Sequence, residues 1–292
     1  MAVRLIAIDL DGTLLHDDMT ISNYSRQVIK KAQSRGYEIV VATGRMWDSA
    51  KAKADTLQLG NVPLICYTGA WIMMSETGEP VRQEGLSPDL ASAILLESKK
   101  RGWNATSFMD DVIYMDKPNG TEKKYQKYRS KKPVYLGENF YHPEKLVTRI
   151  VFADPSLEKR LAIRQVVEDK FSGLVNVVFP GDDFVDVHKK GVNKGAAVRF
   201  LCDQKGISPD EVMAFGNTEN DVPLLRMAGL SYAVSNADEV AKKAARALCP
   251  SNEEDGVAKT IEDMLCGGQA GGMKAEGLRM NDHYKMVLKY LN

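Results

Sequence analysis

The sequence of 292 residues has no excess of charge of either sign. Lysine and arginine number 39 and aspartate and glutamate also number 39, so the formal net charge is zero. A protein that binds nucleic acid through bulk charge needs a clear basic excess, because release of counterions from the phosphates drives that binding. The balance excludes this class, and we expect no nucleic-acid partner.

Cysteine and histidine are scarce and scattered. The four cysteines form no CxxC pair, and the four histidines have no metal-ligand spacing. A disulfide framework or a zinc cluster needs a recognisable spacing of ligands, so we exclude both. We interpret the cysteines as free thiols in a reducing compartment: Cys66, Cys202, Cys249 and Cys266.

Long apolar runs are also missing. No run approaches the roughly 20 residues of a membrane span. The apolar stretch at the N-terminus is too short for a signal sequence and is stopped by Asp9. We therefore predict a cytoplasmic protein without a membrane partner. The nucleotide-binding fingerprints GxxxxGKS/T and GxGxxG are absent as well.

The sequence does contain an alternation of short apolar strands and amphipathic helices. Strand-like segments lie at 3–8, 37–42 and 63–67, and the same rhythm returns with strand-like segments at 211–215 and 231–234. Such alternation predicts parallel βαβ units. We expect an α/β fold built on a doubly wound parallel sheet.

The middle of the chain has a different texture. It mixes two helix candidates with pairs of strand-like segments, namely helices at 88–102 and 155–171 and strand pairs at 104–108 with 112–115 and 175–179 with 184–188. Paired strands with helices between them predict an antiparallel α+β insert. The predicted domains are a core of 1–83 and 189–265, an inserted cap of 84–188 and a C-terminal tail of 266–292, the tail being a linker with a short helix.

Two carboxylates follow the first strand directly, in the run Asp9-Leu10-Asp11-Gly12-Thr13. Open α/β sheets bind ligands at the carboxyl ends of their strands. Carboxylates this close repel each other, so the pair needs a cation or a shared proton. Mg²⁺ fits because it prefers oxygen ligands and keeps waters for a phosphate. The alternative is an acidic turn in which the glycine supplies the bend.

Three further polar clusters stand at strand ends or helix starts. Thr43 and Gly44 follow a strand, where a hydroxyl and an amide can bind an anion, although a plain threonine N-cap is the simpler interpretation of these two alone. Lys194 opens a helix, where its positive charge opposes the helix dipole. This position is unfavourable unless the lysine neutralises a phosphate or an acidic cluster. The loop 216–221, after another strand, crowds amide and carboxylate groups together. We expect all four clusters at one edge of the sheet.

The order of these four clusters resembles the haloacid dehalogenase superfamily, and within it the Cof-type branch of sugar phosphatases with a large α/β cap. The resemblance covers residues 3–265 and includes the runs Ser235-Asn236-Ala237 and 252–258. It implies a Mg²⁺-dependent hydrolase of a small phosphorylated metabolite, such as a sugar phosphate. The cap then closes over the site and selects the leaving group.

The resemblance also implies a role for each motif residue. Asp9 is the nucleophile that forms an aspartyl-phosphate, and Asp11 protonates the leaving alkoxide and then activates water. The groups implied to bind the phosphate oxygens are the Thr43 hydroxyl, the amides of Leu10 and Gly44, and the side chains of Lys194 and Asn220. The implied metal ligands are Asp9, Asp11 through its carbonyl, Asn217 and Asp221.

Two residues depart from the family pattern. Asn217 stands where the fourth motif usually has an aspartate, which predicts weaker Mg²⁺ affinity or reliance on Asp221. Thr68 stands where the branch usually has asparagine before Gly-Ala.

Two alternatives remain open: a phosphomutase-like transferase with the same aspartyl-phosphate, and a metabolite-binding regulator that has lost turnover. Polar residues of the insert carry no motif, and we expect a solvated face for each: Asp110, Lys117, Asp183, Asp186 and His188.

Overall fold

The computed structural model describes residues 2–123, 132–180 and 183–267. The chain forms two compact units, which we call the first unit (residues 1–39 and 202–292) and the second unit (residues 40–201). Gly181 and Asp182, between the predicted strands 175–179 and 184–188, and the predicted linker and helix beyond residue 267 lie outside the described residues. The core, cap and tail boundaries predicted above stay a prediction.

The strands are, in chain order, β1 Leu5–Ile8, β2 Glu38–Ala42, β3 Pro63–Cys66, β4 Trp71–Met74, β5 Pro80–Gln83, β6 Ala105–Met109, β7 Val112–Met115, β8 Val134–Tyr135, β9 Arg149–Ala153, β10 Val175–Val178, β11 Phe184–Lys189, β12 Val212–Gly216, β13 Leu230–Val234 and β14 Ala247–Cys249. The α-helices are α1 Asn23–Ser34, α2 Trp47–Ala54, α3 Pro88–Arg101, α4 Leu157–Lys170, α5 Lys194–Lys205, α6 Val222–Met227, α7 Glu239–Ala244 and α8 Gly256–Leu265.

The first unit contains a parallel sheet in the order β14-β13-β12-β1. Strands β1 and β12 pair in parallel, with Ile8 opposite Phe215. Every residue of β1 and β12 is buried, which is typical of strands covered on both faces. The α/β fold with a parallel sheet is thereby confirmed.

Helices α1 and α8 of the first unit pack together. Ser22 caps α1 by accepting a hydrogen bond from the Ser25 amide, and Tyr24 donates a hydrogen bond to Glu262 on α8. Asp255, just before α8, accepts hydrogen bonds from the hydroxyls of both serines, at 2.6 and 2.8 Å. Helix α8 was not predicted from the sequence.

The second unit contains two groups of strands. Residues of β2 pair in parallel with β3, and β4 and β5 continue this group in antiparallel fashion. The antiparallel pair β4–β5 is absent from the sequence prediction, which has only parallel strands there. The second group is a six-stranded sheet in the order β10-β11-β9-β6-β7-β8.

The six-stranded sheet is antiparallel except for the pair β7–β8, as expected for an α+β insert. One face packs its apolar side chains against helices α3 and α4. This core includes Ile150 and Val187 from the sheet, Leu95 from α3 and Ile163 from α4. Alternation along each strand turns the neighbouring residues to the opposite face.

All four cysteines are free, as the sequence predicted, and only Cys266 is exposed. Burial raises the pKa of the Cys249 thiol to about 12. Within the described ranges, no helix combines the length and the apolar character that crossing a membrane requires.

Candidate active site

In the first unit, the acidic turn and the loop 217–221 follow neighbouring parallel strands. The Asp9 amide donates a hydrogen bond to the Phe215 carbonyl at 3.2 Å, which fixes the start of the turn beside β12. Gly12 has a φ of +69°, and a Cβ at this position would lie 2.5 Å from Asn217 Nδ2. The side chain of Asn217 therefore rests directly on the acidic turn. The structure thus brings the first and fourth predicted motifs together.

Asp221 organises the loop 217–221 from inside. Its Oδ2 accepts hydrogen bonds from the amides of Asn217 at 2.9 Å and Thr218 at 3.1 Å, and its side chain is fully buried. The Thr218 hydroxyl in turn donates to Asn220 Oδ1 at 2.9 Å. Side chains within the loop thus set its shape before any ligand binds.

Asn236 holds the acidic turn from a third side. Its Nδ2 donates to the Gly12 carbonyl at 2.9 Å, and its Oδ1 accepts from the Asn252 amide at 3.1 Å. The sequence pointed to the runs that contain both asparagines but gave neither a role. Both support the backbone that carries Asp9 and Asp11.

The carboxylate of Asp9 is buried, with 3% of the residue exposed, whereas Asp11 is partly exposed. Across the part of the chain that the structure describes, no three His, Cys, Asp or Glu side chains form a group suited to a metal ion. The first unit instead offers two acidic residues on the turn, and the amide of Asn217 and the carboxylate of Asp221 on the adjoining loop. These are all oxygen donors, the chemistry that Mg²⁺ prefers.

In the second unit, Thr43 links two loops. Its amide donates to the Ile65 carbonyl at 2.9 Å, and its carbonyl accepts from the Thr68 amide at 3.0 Å. Its hydroxyl accepts a hydrogen bond from the Arg45 amide at 3.1 Å. The simpler interpretation of Thr43 as the cap of the next helix is wrong, because α2 begins at Trp47 and Met46 holds the cap position.

Asp111 serves as the cap of α2 instead. Its carboxylate accepts hydrogen bonds from the amides of Trp47 at 2.8 Å and Asp48 at 3.3 Å, and from the Tyr67 hydroxyl at 2.8 Å. Burial raises the pKa of Asp111, although these hydrogen bonds oppose the rise. A residue on the β6–β7 turn thus completes a helix that begins 64 residues earlier.

Lys194 lies beside the Thr68–Gly69 loop. Gly69 has a φ of +105°, and a Cβ there would lie 2.3 Å from the Asn193 carbonyl oxygen. Asn193 Oδ1 accepts from the Ala196 amide at 2.8 Å and so caps α5. The lysine that follows is 1% exposed, which is rare for this residue type. The second and third motifs therefore lie together through Thr43, Thr68 and Gly69.

Thr68 holds an unusual backbone conformation, with φ 56° and ψ 26°. A β-branched residue rarely adopts this left-handed region, which asparagine tolerates better. Its hydroxyl is buried and has no hydrogen-bond partner among the residues that the structure describes. Strain and an unsatisfied hydroxyl at one position are typical of functional loops.

The solvated-face expectation is wrong for Asp186 and His188, each of which is 1% exposed. It holds for Asp110 and Lys117, which are exposed, and Asp183 is intermediate. Asp186 and His188 alternate along β11 with valines that face the helices, so both point to the opposite face of the sheet. Sequence alternation alone gives their common face, but it does not show that this face is covered.

Comparison with known proteins gives the family. Residues 6–261 match the family model of the haloacid dehalogenase-like hydrolases. A Bacillus subtilis protein named 5-amino-6-(5-phospho-D-ribitylamino)uracil phosphatase YcsE is 28% identical over 260 residues, which cover 89% of this chain and 94% of the relative. An Arabidopsis thaliana protein named Endoribonuclease YBEY, chloroplastic, is also 28% identical, but the chain spans only 45% of its length.

Solved structures agree with this result. A crystal structure from Thermotoga maritima is 30% identical, with a TM-score of 0.76 and coverage of 89% of this chain and 97% of that one. A structure described as a HAD subclass IIB sugar phosphatase shares the fold, at 23% identity and a TM-score of 0.78, covering 90% of this chain and 99% of that one. The chain belongs to the haloacid dehalogenase-like hydrolases, as its motifs predicted. It is a phosphatase.

Proposed function

We propose that the chain is a Mg²⁺-dependent phosphomonoesterase that acts on a small phosphorylated metabolite, such as a sugar phosphate, through an aspartyl-phosphate. One observation carries the proposal: Asp9 is buried at the end of β1 and lies on the turn against which Asn217 packs. A buried carboxylate in a polar loop at the carboxyl end of a parallel strand is placed for nucleophilic catalysis.

The donor set suits Mg²⁺. Asp9, the carbonyl of Asp11, Asn217 and Asp221 would hold the ion, and all four supply oxygen. When bound, Mg²⁺ would offset the charge that develops on the transferred phosphoryl group. The chain's own residues supply the remaining chemistry.

In the first half-reaction, the Asp9 carboxylate attacks phosphorus and the bond from phosphorus to the leaving oxygen breaks. Asp11 donates its proton to that oxygen, so the alcohol leaves neutral. In the second half-reaction, Asp11 accepts a proton from water. The resulting hydroxide attacks the aspartyl-phosphate, which releases inorganic phosphate and restores Asp9.

Binding of the phosphoryl group is assigned to backbone and side-chain donors. The amides of Leu10 and Gly44, the Thr43 hydroxyl and the Lys194 ammonium would bind its oxygens, and Asn220 would orient the lysine or the phosphate. Phosphoryl transfer depends chiefly on such positioning and charge stabilisation. The burial of Lys194 next to the Gly69 loop supports this role.

The test is release of inorganic phosphate from p-nitrophenyl phosphate and from a panel of phosphorylated metabolites with Mg²⁺. Asp9→Asn should lower kcat at least about a thousandfold, because it removes the nucleophile. Asp110→Asn is the matched control, because Asp110 is exposed and forms a surface ion pair with Lys145. Activity that survives in Asp9→Asn, or that is indifferent to a chelator, would refute the mechanism.

The same experiment distinguishes hydrolysis from the phosphomutase alternative. A mutase would leave the phosphoryl group on the sugar, which ³¹P NMR would detect as an isomeric phosphate ester without free phosphate. The hydrolase proposal expects inorganic phosphate as the sole new phosphorus signal.

A further inference from the structure

A buried arginine of the second unit binds the backbone beside Thr43. Arg149, on β9, donates a hydrogen bond from Nη1 to the Gly44 carbonyl at 2.9 Å, across 105 positions of sequence. Its side chain is only 11% exposed. Burying a charged group is costly unless the group is paired and hydrogen-bonded, so the partners of this guanidinium determine where it lies.

Three neighbours hold the guanidinium against the Gly44 carbonyl. Asp186 on β11 accepts a hydrogen bond from the same Nη1 at 2.9 Å, so one nitrogen serves both acceptors. The Cζ atom of Arg149 lies 4.4 Å from the ring centre of Phe108 and 5.3 Å from that of Tyr67. The ion pair and the two aromatic rings leave the arginine little freedom to move away from the carbonyl.

The Gly44–Arg45 peptide group connects Arg149 to Thr43. Its carbonyl accepts from the arginine, and its N–H donates to the Thr43 hydroxyl oxygen at 3.1 Å. Because a peptide group is planar, fixing the direction of the carbonyl also fixes the direction of the N–H. A charged donor on the carbonyl also polarises the peptide, which strengthens the hydrogen bond on its other side. The arginine thereby determines how the Thr43 oxygen is held.

The hydrogen bond that Thr43 accepts orients its hydroxyl. A hydroxyl that accepts one hydrogen bond keeps its own proton to donate. Since the Arg45 amide occupies one side of the Thr43 oxygen, the O–H bond turns away from that amide. A phosphate oxygen is a suitable acceptor for such a proton, and Thr43 is among the proposed phosphate-binding residues.

The six-stranded sheet also holds the segment 43–48 at its other end. Asp111, on the β6–β7 turn, accepts hydrogen bonds from two amides in the first turn of α2 at 2.8 and 3.3 Å. Between the two ends, the Arg45 carbonyl accepts from the Tyr67 amide at 2.9 Å. Loss of the arginine would therefore release one carbonyl and leave the remaining contacts of the segment in place.

We infer that Arg149 is a positioning residue for phosphate binding. It acts through the Gly44–Arg45 peptide and directs the Thr43 hydroxyl toward the phosphate oxygens. The inference rests on the proposed phosphatase function and adds to it a residue of β9 that acts at one remove from the phosphate.

The test removes the guanidinium without leaving a buried charge. Arg149→Met alone would leave Asp186 buried without its cation, which is strongly destabilising. The test variant therefore combines Arg149→Met with Asp186→Asn. The reference is Asp186→Asn alone, which keeps the arginine and its contact with Gly44. The two proteins differ only at position 149.

The measurement is competitive inhibition of p-nitrophenyl phosphate hydrolysis by inorganic phosphate with Mg²⁺, well below the Tm of each variant. The Ki of inorganic phosphate should be about tenfold higher in the test variant than in the reference, which corresponds to the loss of one well-directed hydrogen bond. If the test variant does not fold, Arg149→Gln with Asp186→Asn carries the same comparison. Glutamine is two bonds shorter than arginine, so it keeps a polar end but loses the contact with Gly44.

A double-mutant cycle with Thr43→Val shows whether the arginine acts through the hydroxyl. Thr43→Val in the reference background should itself raise the Ki about tenfold. When residue 43 is already valine, Arg149→Met should raise the Ki less than about twofold, because the group that the arginine positions is absent. Independent contributions would instead multiply to about a hundredfold.

Arg160→Met is the matched control. Arg160 is also a buried arginine of the second unit, with its side chain 8% exposed, and its Nη1 donates to the carbonyls of Asp154 at 2.9 Å and Pro155 at 3.2 Å. The substitution should lower Tm, because these carbonyls lose their donor. It should leave the Ki of inorganic phosphate within about twofold, because neither carbonyl belongs to the segment 43–48.

Three outcomes would overturn the inference while the phosphatase function stands. They are an unchanged Ki in the test variant, effects of Arg149 and Thr43 that multiply, and an equal rise in Ki in Arg160→Met. The last would trace the change to a general loss of stability. Failure of the wild-type enzyme to release phosphate from any ester would instead refute the proposed function, and the inference with it.

Discussion

Residue 217 shows how one side chain can alter a site whose backbone is unchanged. The amide of Asn217 rests on the Gly12 turn, where the family pattern has a carboxylate. The loop does not collapse without that carboxylate, because Asp221 holds the amides of residues 217 and 218. The substitution therefore changes charge more than shape.

Asn217→Asp should strengthen Mg²⁺ binding. A carboxylate adds a full negative charge beside the acidic turn, and one such charge is worth about tenfold in affinity for a divalent cation at a partly exposed site. The half-saturating Mg²⁺ concentration for activity should fall by that factor, and calorimetric titration with Mg²⁺ alone should agree. Unchanged Mg²⁺ dependence in both measurements would show that residue 217 does not contact the ion.

Thr68→Asn should stabilise the protein. Asparagine tolerates the left-handed conformation that the branched Cβ of threonine resists, so about 0.5–1 kcal/mol of strain should be relieved. Urea unfolding measures the gain. Activity should stay within about threefold, since asparagine is the usual residue of the branch. A lower free energy of unfolding would contradict the assignment of strain to this residue.

Individual site residues could be named from the sequence because each one directly follows a strand or opens a helix. Asp9, Thr43 and Lys194 are examples. The buried state of Asp186 and His188 could not be predicted, because a polar residue alternating with valine usually faces water. Whether the face that carries Asp186 and His188 is covered depends on segments that are distant in sequence.

At the scale of secondary structure, the close approach of two loops depends on Gly69. Its left-handed backbone and the Asn193 carbonyl oxygen, 2.3 Å from where a Cβ would stand, leave no space for a side chain. The backbone before α5, and with it Lys194, must move if a Cβ is added. A single methyl group should therefore disturb both stability and phosphate binding.

Gly69→Ala should lower the free energy of unfolding by about 2–4 kcal/mol and raise KM for p-nitrophenyl phosphate. Gly60→Ala is the matched control, because Gly60 also has positive φ but nothing lies within 4 Å of its added Cβ. The control should show only the smaller cost of the backbone conformation. Equal destabilisation by the two substitutions would mean that the contact with Asn193 is unimportant.

Asp255 joins α1 to α8 in a pH-dependent way. Burial raises its pKa, but hydrogen bonds from Ser22, Ser25 and His16 outweigh burial and leave the pKa below its ordinary value. A depressed folded-state pKa contributes stability above the unfolded-state pKa of about 3.9, and this contribution disappears as pH falls through the folded-state value.

Asp255→Asn should therefore cost about 1–3 kcal/mol at pH 7, where the charged acceptor is lost. The difference between wild type and variant should shrink as the pH falls below about 4. Urea unfolding at pH 7 and at successively lower pH values measures it. A difference that is constant with pH would show that the charge of Asp255 is not involved.

Most elements were predictable because their apolar periodicity is strong. Strand β7 has the predicted bounds, and helix α3 ends one residue before its predicted end. Strands β4 and β5 were missed for two reasons. Trp71–Met74 is a short apolar run without alternation, and Pro80–Gln83 is mostly polar and exposed, so neither carries a clear strand signal. Their pairing depends on a turn between them and on β3.

At the scale of the whole molecule, composition sets the kinds of partner that bulk charge can attract. With 39 residues of each sign, the chain has no net attraction for a polyanion. The α/β class and the largely antiparallel sheet of the second unit followed from the order of elements. The substrate did not, because long-range contacts such as that of Arg149 with Gly44 carry no signal in the sequence.

The protein should not retard duplex DNA in a gel at about 150 mM salt, since no counterion release is available to drive association. Mobility of a labelled random-sequence duplex is the measurement, with a basic protein such as lysozyme as the positive control. Retardation that weakens steeply with added salt would reveal a localised basic surface that the net charge conceals.

The capping of α2 by Asp111 has a consequence for protein engineering. Helix α2 starts after Met46, which has no side-chain acceptor, and the missing acceptor comes from the β6–β7 turn. A chimera that exchanges the region 84–188 for that of a relative would therefore lose the cap of α2, the helix that follows Thr43 and Gly44. Such a chimera needs either an aspartate at the equivalent turn of the new region or the substitution Met46→Ser.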